Sequence, residues 1–521
     1  ADAWACANCS AESACEGLGA NPEALPGFYL YEVGTESLSI FQCKGDEKRC
    51  PGGGAGACPA GRLGVACAIC MDGYAETDDG TCRPCGDNDM ILFALALVGC
   101  AIALVMVYVI AARQDRSTQS HATVLVSTGL AQIIGIVQML SVMGSLRVAW
   151  PSSVTGILSH FAIAKFDIDT VKLGCLMSYD PVLNYSFRLL IVLIFLVILL
   201  MVHGVVLLCR KKGLMQEWSA LVGACGACTA ALFVSICMTA LTPFQCQTHP
   251  NGVWTMIGYE AERCWDDDSN AQQGMIGMAV VAILFVLAFL AGMSWLVITY
   301  PRQIQKGNVQ FLNATAFLFN RFKPECRGVA LAILIRALLM AVIPVMPDIM
   351  TQLFGVLIIF LITITMSSSL MPFRFAINNF VEYTAGCCFI MMVVVGAAYA
   401  TQDRDVGLVG DVGAVLVIMA LLTTFVPIAR GCFVRLLSRK AAYQFFLSHH
   451  KAAAAAMSRL LKMQLQGHPR TKGEVFLDSD NLVDLDTLLD TVSHHTGVVV
   501  ALCTRDYLAR PWCLAEVVVA H

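Results

Sequence analysis

Charge is what this 521-residue chain has least of: 14% of its residues are Asp, Glu, Lys or Arg, whereas 57% are hydrophobic. Its mean hydropathy is +0.69. A water-soluble globular protein is roughly a quarter charged and about half apolar. A soluble chain of this length would also divide into several cores, each with its own charged surface. That organisation is excluded, and the excess apolar content calls for a solvent other than water. A basic excess is missing as well. Lys and Arg number 34 against 38 Asp and Glu, for a net charge of −4 and a pI near 6.2. Nothing therefore points to nucleic acid as a partner. The first residue is Ala1 and no apolar leader precedes the first cysteines, while His521 falls inside a predicted helix. A fragment or processed form is expected on both counts.

What the chain has in place of charge is long apolar runs. A helix needs about 20 apolar residues to cross the hydrocarbon. Runs at 90–112, 123–146, 189–209, 220–241, 275–299, 329–345, 353–370, 383–400 and 412–434 predict about nine transmembrane helices in a lipid bilayer. The sixth is short and carries Pro344, with Pro347 beyond it, so a tight hairpin with the seventh or a re-entrant segment are alternatives. Basic residues follow the odd-numbered runs: Arg113 and Arg116, then Arg210, Lys211 and Lys212, then Arg302, Lys306, Arg321, Lys323 and Arg327, and finally Arg430, Arg435, Arg439 and Lys440. The loop after the fourth run instead carries Glu260, Glu262, Asp266, Asp267 and Asp268. The positive-inside rule then predicts cytoplasmic odd loops, an outer N-terminus and an inner C-terminus, with the plasma membrane as the expected location.

Cysteine use is uneven. Ten of the 24 cysteines, Cys6, Cys9, Cys15, Cys43, Cys50, Cys58, Cys67, Cys70, Cys82 and Cys85, precede the first run. An even set in a stretch rich in Gly and Pro, with few aliphatic residues to build a core, reads as a disulfide framework in an oxidising compartment. The competing chemistry is zinc, because Cys67-x-x-Cys70 and Cys82-x-x-Cys85 have ribbon-like spacing. Cys246 and Cys264 share one predicted outer loop and are candidates for a further disulfide. Asn184-Tyr-Ser186 is a glycosylation sequon on the same side.

Two features inside the runs need a role. Arg336 is a costly charge within the sixth; it either serves a function, snorkels, or pairs with Glu382 at the start of the eighth. The small residues between Gly223 and Cys228 let another helix approach closely. Ionisable residues within the runs otherwise amount to little more than His203.

Beyond Lys440 the composition changes. Strands at 443–448, 474–477 and 497–503 alternate with helices at 452–465, 484–492 and 511–520, and an acidic loop occupies 478–481. Alternation of this kind predicts an α/β fold with a parallel sheet, and the apolar 497–503 reads as a strand buried on both faces. The boundaries drawn are 1–88 for a cysteine-rich extracellular region, 89–436 for the helical membrane domain and 441–521 for the α/β cytoplasmic domain.

The C-terminal region resembles a TIR domain. The resemblance is carried by Tyr443-Gln-Phe-Phe-Leu-Ser448, by Val475-Phe-Leu-Asp478 with its acidic loop including Asp480, by Val498-Val-Val-Ala-Leu502 and Tyr507, and most specifically by Trp512-Cys513-Leu-Ala-Glu516. It covers the first three strands of such a domain, and the last two strands and their helices are absent from these residues. It implies assembly with other TIR domains. In NAD+-cleaving members the Glu of this motif is catalytic, which transfers that role to Glu516, with NAD+ as substrate and neither cofactor nor metal required. A carboxylate beside the ribose would stabilise an oxocarbenium-like state. Trp512 and Cys513 are expected to pack the core, and the 478–484 loop to gate the site or mediate assembly. The Ser448-His-His-Lys451 segment lacks the Arg- and Asp-containing pattern of plant TIR domains, so no nucleotide contact transfers there.

The N-terminal region resembles EGF- or ephrin-receptor-like repeats through Gly64-Val-Ala-Cys67-Ala-Ile-Cys70-Met-Asp-Gly73-Tyr74 and Gly80-Thr-Cys82-Arg-Pro-Cys85, which implies a compact outer spacer or ligand-binding surface. The membrane region resembles proteins with a TRP-like transmembrane domain through Phe317-Leu-Phe-Asn-Arg-Phe-Lys-Pro-Glu325, Met371-Pro-Phe-Arg374, Asn379 and Glu382. Two functions follow as expectations: a receptor-like signalling protein with an extracellular ligand, and a TRP-like ion channel or transporter carrying a TIR appendage.

Overall fold

The computed structural model describes residues 12–14, 22–33, 37–43, 49–76, 81–112, 121–148, 150–161, 175, 180–210, 218–266, 270–401, 407–437, 443–469, 471, 473–481 and 488–520. Cys6, Cys9, Cys15, Arg113, Arg116, Lys211, Lys212, Asp267, Asp268, Arg439, Lys440 and Asp484 lie outside them.

The N-terminal region is built from short antiparallel pairs, because Gly/Pro-rich sequence sustains turns better than long strands. They are β1 (Ser13–Ala14) with β2 (Glu23–Ala24), β3 (Phe28–Val33) with β4 (Ser37–Gln42), β5 (Arg62–Leu63) with β6 (Ile69–Cys70), and β7 (Tyr74–Glu76) with β8 (Cys82–Pro84). Disulfides Cys43–Cys50, Cys58–Cys67 and Cys70–Cys82 staple these pairs. The first two of these disulfides, with Tyr29, Phe41 and Ala66, form the small core that so few aliphatic residues cannot supply alone. The zinc alternative fails, since Cys67, Cys70, Cys82 and Cys85 are all oxidised. Cys85 does not pair within the N-terminal set; it bonds to Cys175, 90 residues on, and so ties the module to the bundle.

All nine apolar runs are helical. The helices are α1 (Asp87–Ala112), α2 (His121–Met143), the short α3 (Ser152–His160), α4 (Pro181–Arg210), α5 (Trp218–Ala231), α6 (Phe233–Leu241), α7 (Asn270–Gln305), the short α8 (Val309–Ala314) and α9 (Ala316–Phe319), then α10 (Val329–Val342), α11 (Ile349–Leu370), α12 (Ala376–Thr401) and α13 (Gly407–Leu437). Among the described residues six of them, α2, α4, α7, α11, α12 and α13, are long and apolar enough to cross a membrane. The expected fourth span is not one straight helix: α5 and α6 meet at Leu232 with a bend of 54°, and count as a seventh span only as a pair. The apolar stretches Val98–Ile110 in α1 and Val329–Val345 are shorter than that standard. Leu95, Leu193, Val281, Ile362 and Leu422 are exposed on the outside of the bundle, as lipid-facing side chains are.

Glycine fixes the close approaches. A Cβ on Gly226 would strike the ring of Phe317, and one on Gly386 would meet Ile364 at 2.8 Å. The Gly223–Cys228 run therefore packs as its composition predicts, receiving Phe317 from α9.

The loop between α6 and α7 is a small sheet of β9 (Cys246–Thr248), β10 (Trp254–Met256) and β11 (Tyr259–Arg263), closed by the expected Cys246–Cys264 disulfide. The N-terminal module docks on it. Arg49 pairs with Glu260 at 2.9 Å, Gln42 N–H donates to His249 Nδ1 at 3.1 Å, and the Phe41 ring meets His249 edge-on. The glycosylation sequon fares differently: Asn184 lies in the first turn of α4 with its amide oxygen buried, so it is not presented on a loop.

The C-terminal region forms a three-stranded parallel sheet of β12 (Tyr443–His449), β13 (Glu474–Leu477) and β14 (Thr496–Leu502), in the order β13-β12-β14. It is interleaved with α14 (Lys451–Gly467), the single turn α15 (Asp478–Asn481), α16 (Leu488–His494) and α17 (Pro511–Ala520). Alternation and apolar character thus give the parallel α/β architecture. Two details differ. The acidic segment is a helical turn, not an open loop, and β14 is an edge strand with Val498 51% exposed. An apolar run is the same whether one or both faces are covered, so periodicity cannot separate those cases.

Candidate functional site at the C-terminal sheet

The carboxyl ends of parallel strands are where open α/β sheets place their chemistry. At that end of β12 sit Ser448 and His449, at that end of β13 sits Asp478, and α17 brings Cys513 and Glu516 against the end of β12. Cys513, Glu516 and Val519 recur at helical spacing and form the buried stripe of α17. Trp512 falls outside that stripe and is 39% exposed, so the core position expected for it is taken by Cys513 alone. Cys513 Sγ points at His449 O, 3.4 Å away.

Glu516 is buried, and its Oε2 accepts a hydrogen bond from Ser448 Oγ. Ser448 has one proton to give, so when Glu516 is ionised the hydroxyl of Tyr507, bonded to the same Oγ, is the donor in that contact. The result is a relay from Tyr507 to Ser448 to Glu516. Burial pushes the Glu516 carboxyl above the usual glutamate range; the Ser448 hydrogen bond works against this, and the Asp478 charge adds to it. Burial raises the Tyr507 phenol and the Cys513 thiol as well.

Asp478 is more open. Its Oδ2 pairs with Lys451 Nζ at 3.1 Å, and its Oδ1 is buried without a hydrogen bond, 3.9 Å from His449 Nε2. Asp480 does not join this group. It clasps α15 to α14 through Arg459 at 2.8 Å and Lys462 at 3.2 Å, contacts that hold its carboxyl at about 2.

Of the residues read from the sequence, Asp478, Cys513 and Glu516 are brought together, whereas Asp480 and Trp512 are not. Ser448, Tyr507 and Lys451 complete the cluster. The signal for Ser448 was its place as the last residue of an apolar strand that ends at the sheet's functional edge; Lys451 opens the next helix. Among the described residues no group of three or more His, Cys, Asp or Glu is arranged to hold a metal ion. The cluster holds two carboxylates, Asp478 paired with Lys451 and Glu516 held behind the Ser448 hydroxyl. No family model, curated protein or solved structure matches this chain.

Proposed function

We propose that the protein is a membrane receptor-like signalling protein in which an outer disulfide-stapled module of EGF-like type is coupled through nine membrane-crossing helices to a cytoplasmic TIR-type unit that acts by assembly. The orientation rests on the basic residues after odd-numbered spans, and the docking geometry supports it. Cys85, Cys175 and the 246–264 loop are separated by α1 with α2, and then by α4 with the α5–α6 pair, an even number of crossings each time. They meet on one side. Nine crossings leave the C-terminal unit on the other.

The observation that carries the assembly reading is the uncovered apolar surface of that unit. Val498 on β14 and Trp512, Leu514 and Val518 on α17 are all 39% exposed or more among the described residues. Exposed apolar side chains of this kind favour contact with a second unit, and TIR domains are the partners the motif implies. The full chain in detergent micelles, sized by light scattering, tests this. Association in the parent that is abolished by Val498→Asp with Val518→Asp supports the reading; a monomeric parent removes it.

A second reading, NAD+ cleavage, is favoured by one observation: Glu516 and Asp478 converge at the carboxyl ends of β12 and β13. Glu516 would stabilise positive charge on the ribose once its Ser448 contact opens. Nicotinamide release by the parent and not by Glu516→Ala supports it, and no release from the parent removes it. The channel alternative predicts currents in a reconstituted bilayer, which the receptor reading does not.

A further inference from the structure

Helices α2, α10, α11 and α12, with Arg321 and Phe373 from the connections before α10 and α12, line a cavity of about 70 Å³. One water needs roughly 10–15 Å³ on this measure, so there is room for several waters or one compact polar group. The charged residues of its wall are Arg321, Arg336 and Glu382, two guanidiniums against one carboxylate. Arg336 Nη1 lies 2.7 Å from Glu382 Oε1, so that pair is mutually neutralised. Arg321 has no ion-pair partner among the described residues; its guanidinium stands over the Phe322 ring, 5.1 Å from the centroid. The Nε atoms of both arginines are buried without a hydrogen-bond partner.

Two of the other polar groups of the wall are engaged elsewhere. Gln132 exchanges hydrogen bonds with the main chain and side chain of Asn378, at 2.8 and 2.7 Å. The Thr363 hydroxyl donates to Ile359 O. Ser367 adds a hydroxyl to the wall. Arg336 is seven residues into α10 and Glu382 six into α12, roughly 10 Å along each helix, while Arg321 and Phe373 reach the cavity from the connections at the helix ends. An unpaired guanidinium in a wall made mostly of apolar side chains is costly unless it finds an anion. A cationic ligand would add to the excess, and an apolar one would leave the guanidinium donors unmet. Planar guanidinium forks match the oxygens of a phosphate, and one phosphate group fits the volume.

We propose that this cavity binds one phosphate group between Arg321 and Arg336, with Glu382 lowering the affinity by repulsion. The phosphate comes either from an acidic phospholipid headgroup or from free phosphate. The test follows the melting midpoint of the full chain, by tryptophan fluorescence in phosphate-free neutral detergent, as inorganic phosphate or phosphatidic acid is titrated. One of the two raises the midpoint saturably. A response to phosphate alone identifies the free anion, and one to phosphatidic acid alone identifies the headgroup. Arg321→Gln weakens the half-saturating concentration about tenfold, the loss of one charge-assisted contact. Glu382→Gln tightens it by a similar factor, although it breaks the ion pair to Arg336. A purely structural role for Glu382 does not produce that gain. No response to either probe, or the same half-saturation in parent and variants, overturns the proposal. If Arg321→Gln does not fold, Glu382→Gln alone decides: unchanged or weaker binding overturns it.

Discussion

Ser448 and Glu516, 68 residues apart, share a hydrogen bond inside the C-terminal sheet, and Tyr507 holds the other side of the same hydroxyl. Ser448→Ala removes the donor and leaves a buried carboxylate unsatisfied. The expected cost is about 1–3 kcal/mol, read as at least about a fivefold loss of amide-exchange protection in β12. Unchanged protection would mean that the contact does not support the sheet.

The Glu516 carboxyl is raised by burial, which fixes the sign of a pH effect. The unfolded chain releases this proton near the ordinary glutamate value and the folded unit only above it. Stability is therefore full at acid pH and falls as pH rises through that interval. Glu516→Gln removes the slope. Exchange protection of β12 in the parent, divided by that in Glu516→Gln, should fall from pH 4 toward neutrality; a flat ratio contradicts the assignment.

His249 behaves in the opposite sense. Burial lowers it, with the Glu260 charge acting against this, and its Nδ1 must stay unprotonated to accept from Gln42. Docking of the N-terminal module on β9–β11 is thus full above the ordinary histidine value and weakens as pH falls through the lowered one. Limited proteolysis between pH 7.5 and 5 should show faster cleavage around 42–50 at the lower pH. In His249→Gln that pH dependence should disappear.

Gly226→Leu drives a side chain into the space of the Phe317 ring. A loss of about 1–3 kcal/mol is expected from overpacking, seen as a lower melting midpoint in detergent. Combining it with Phe317→Ala should recover part of the loss, because the cavity left by the ring accepts the leucine.

The sequence announced some of this and concealed the rest for identifiable reasons. The apolar runs marked the long helices of the bundle, since lipid imposes length and composition directly, whereas the short α3, α8 and α9 fall outside them. Hydropathy did not reveal the bend at Leu232, which depends on backbone angles within a uniformly apolar stretch. The Arg336–Glu382 pair was legible because two intramembrane charges have few other partners. The Cys85–Cys175 bond was not, because connectivity depends on which segments meet across the bundle, and an even count in the N-terminal region suggested closure within it. At the C-terminal site Glu516 and Asp478 followed from motif and strand ends. Trp512 was misplaced because helix phase, not residue type, decides which side chain of α17 is covered.

The central claim is that the disulfide module and the Cys503-bearing unit lie on opposite sides of one membrane. Intact cells expressing the chain with an N-terminal epitope tag, treated with antibody and with a membrane-impermeant maleimide, test it most directly, with Cys503→Ser as the control for the exposed thiol. The account predicts antibody binding on intact cells and maleimide labelling of Cys503 only after permeabilisation. Labelling of both on intact cells would contradict it.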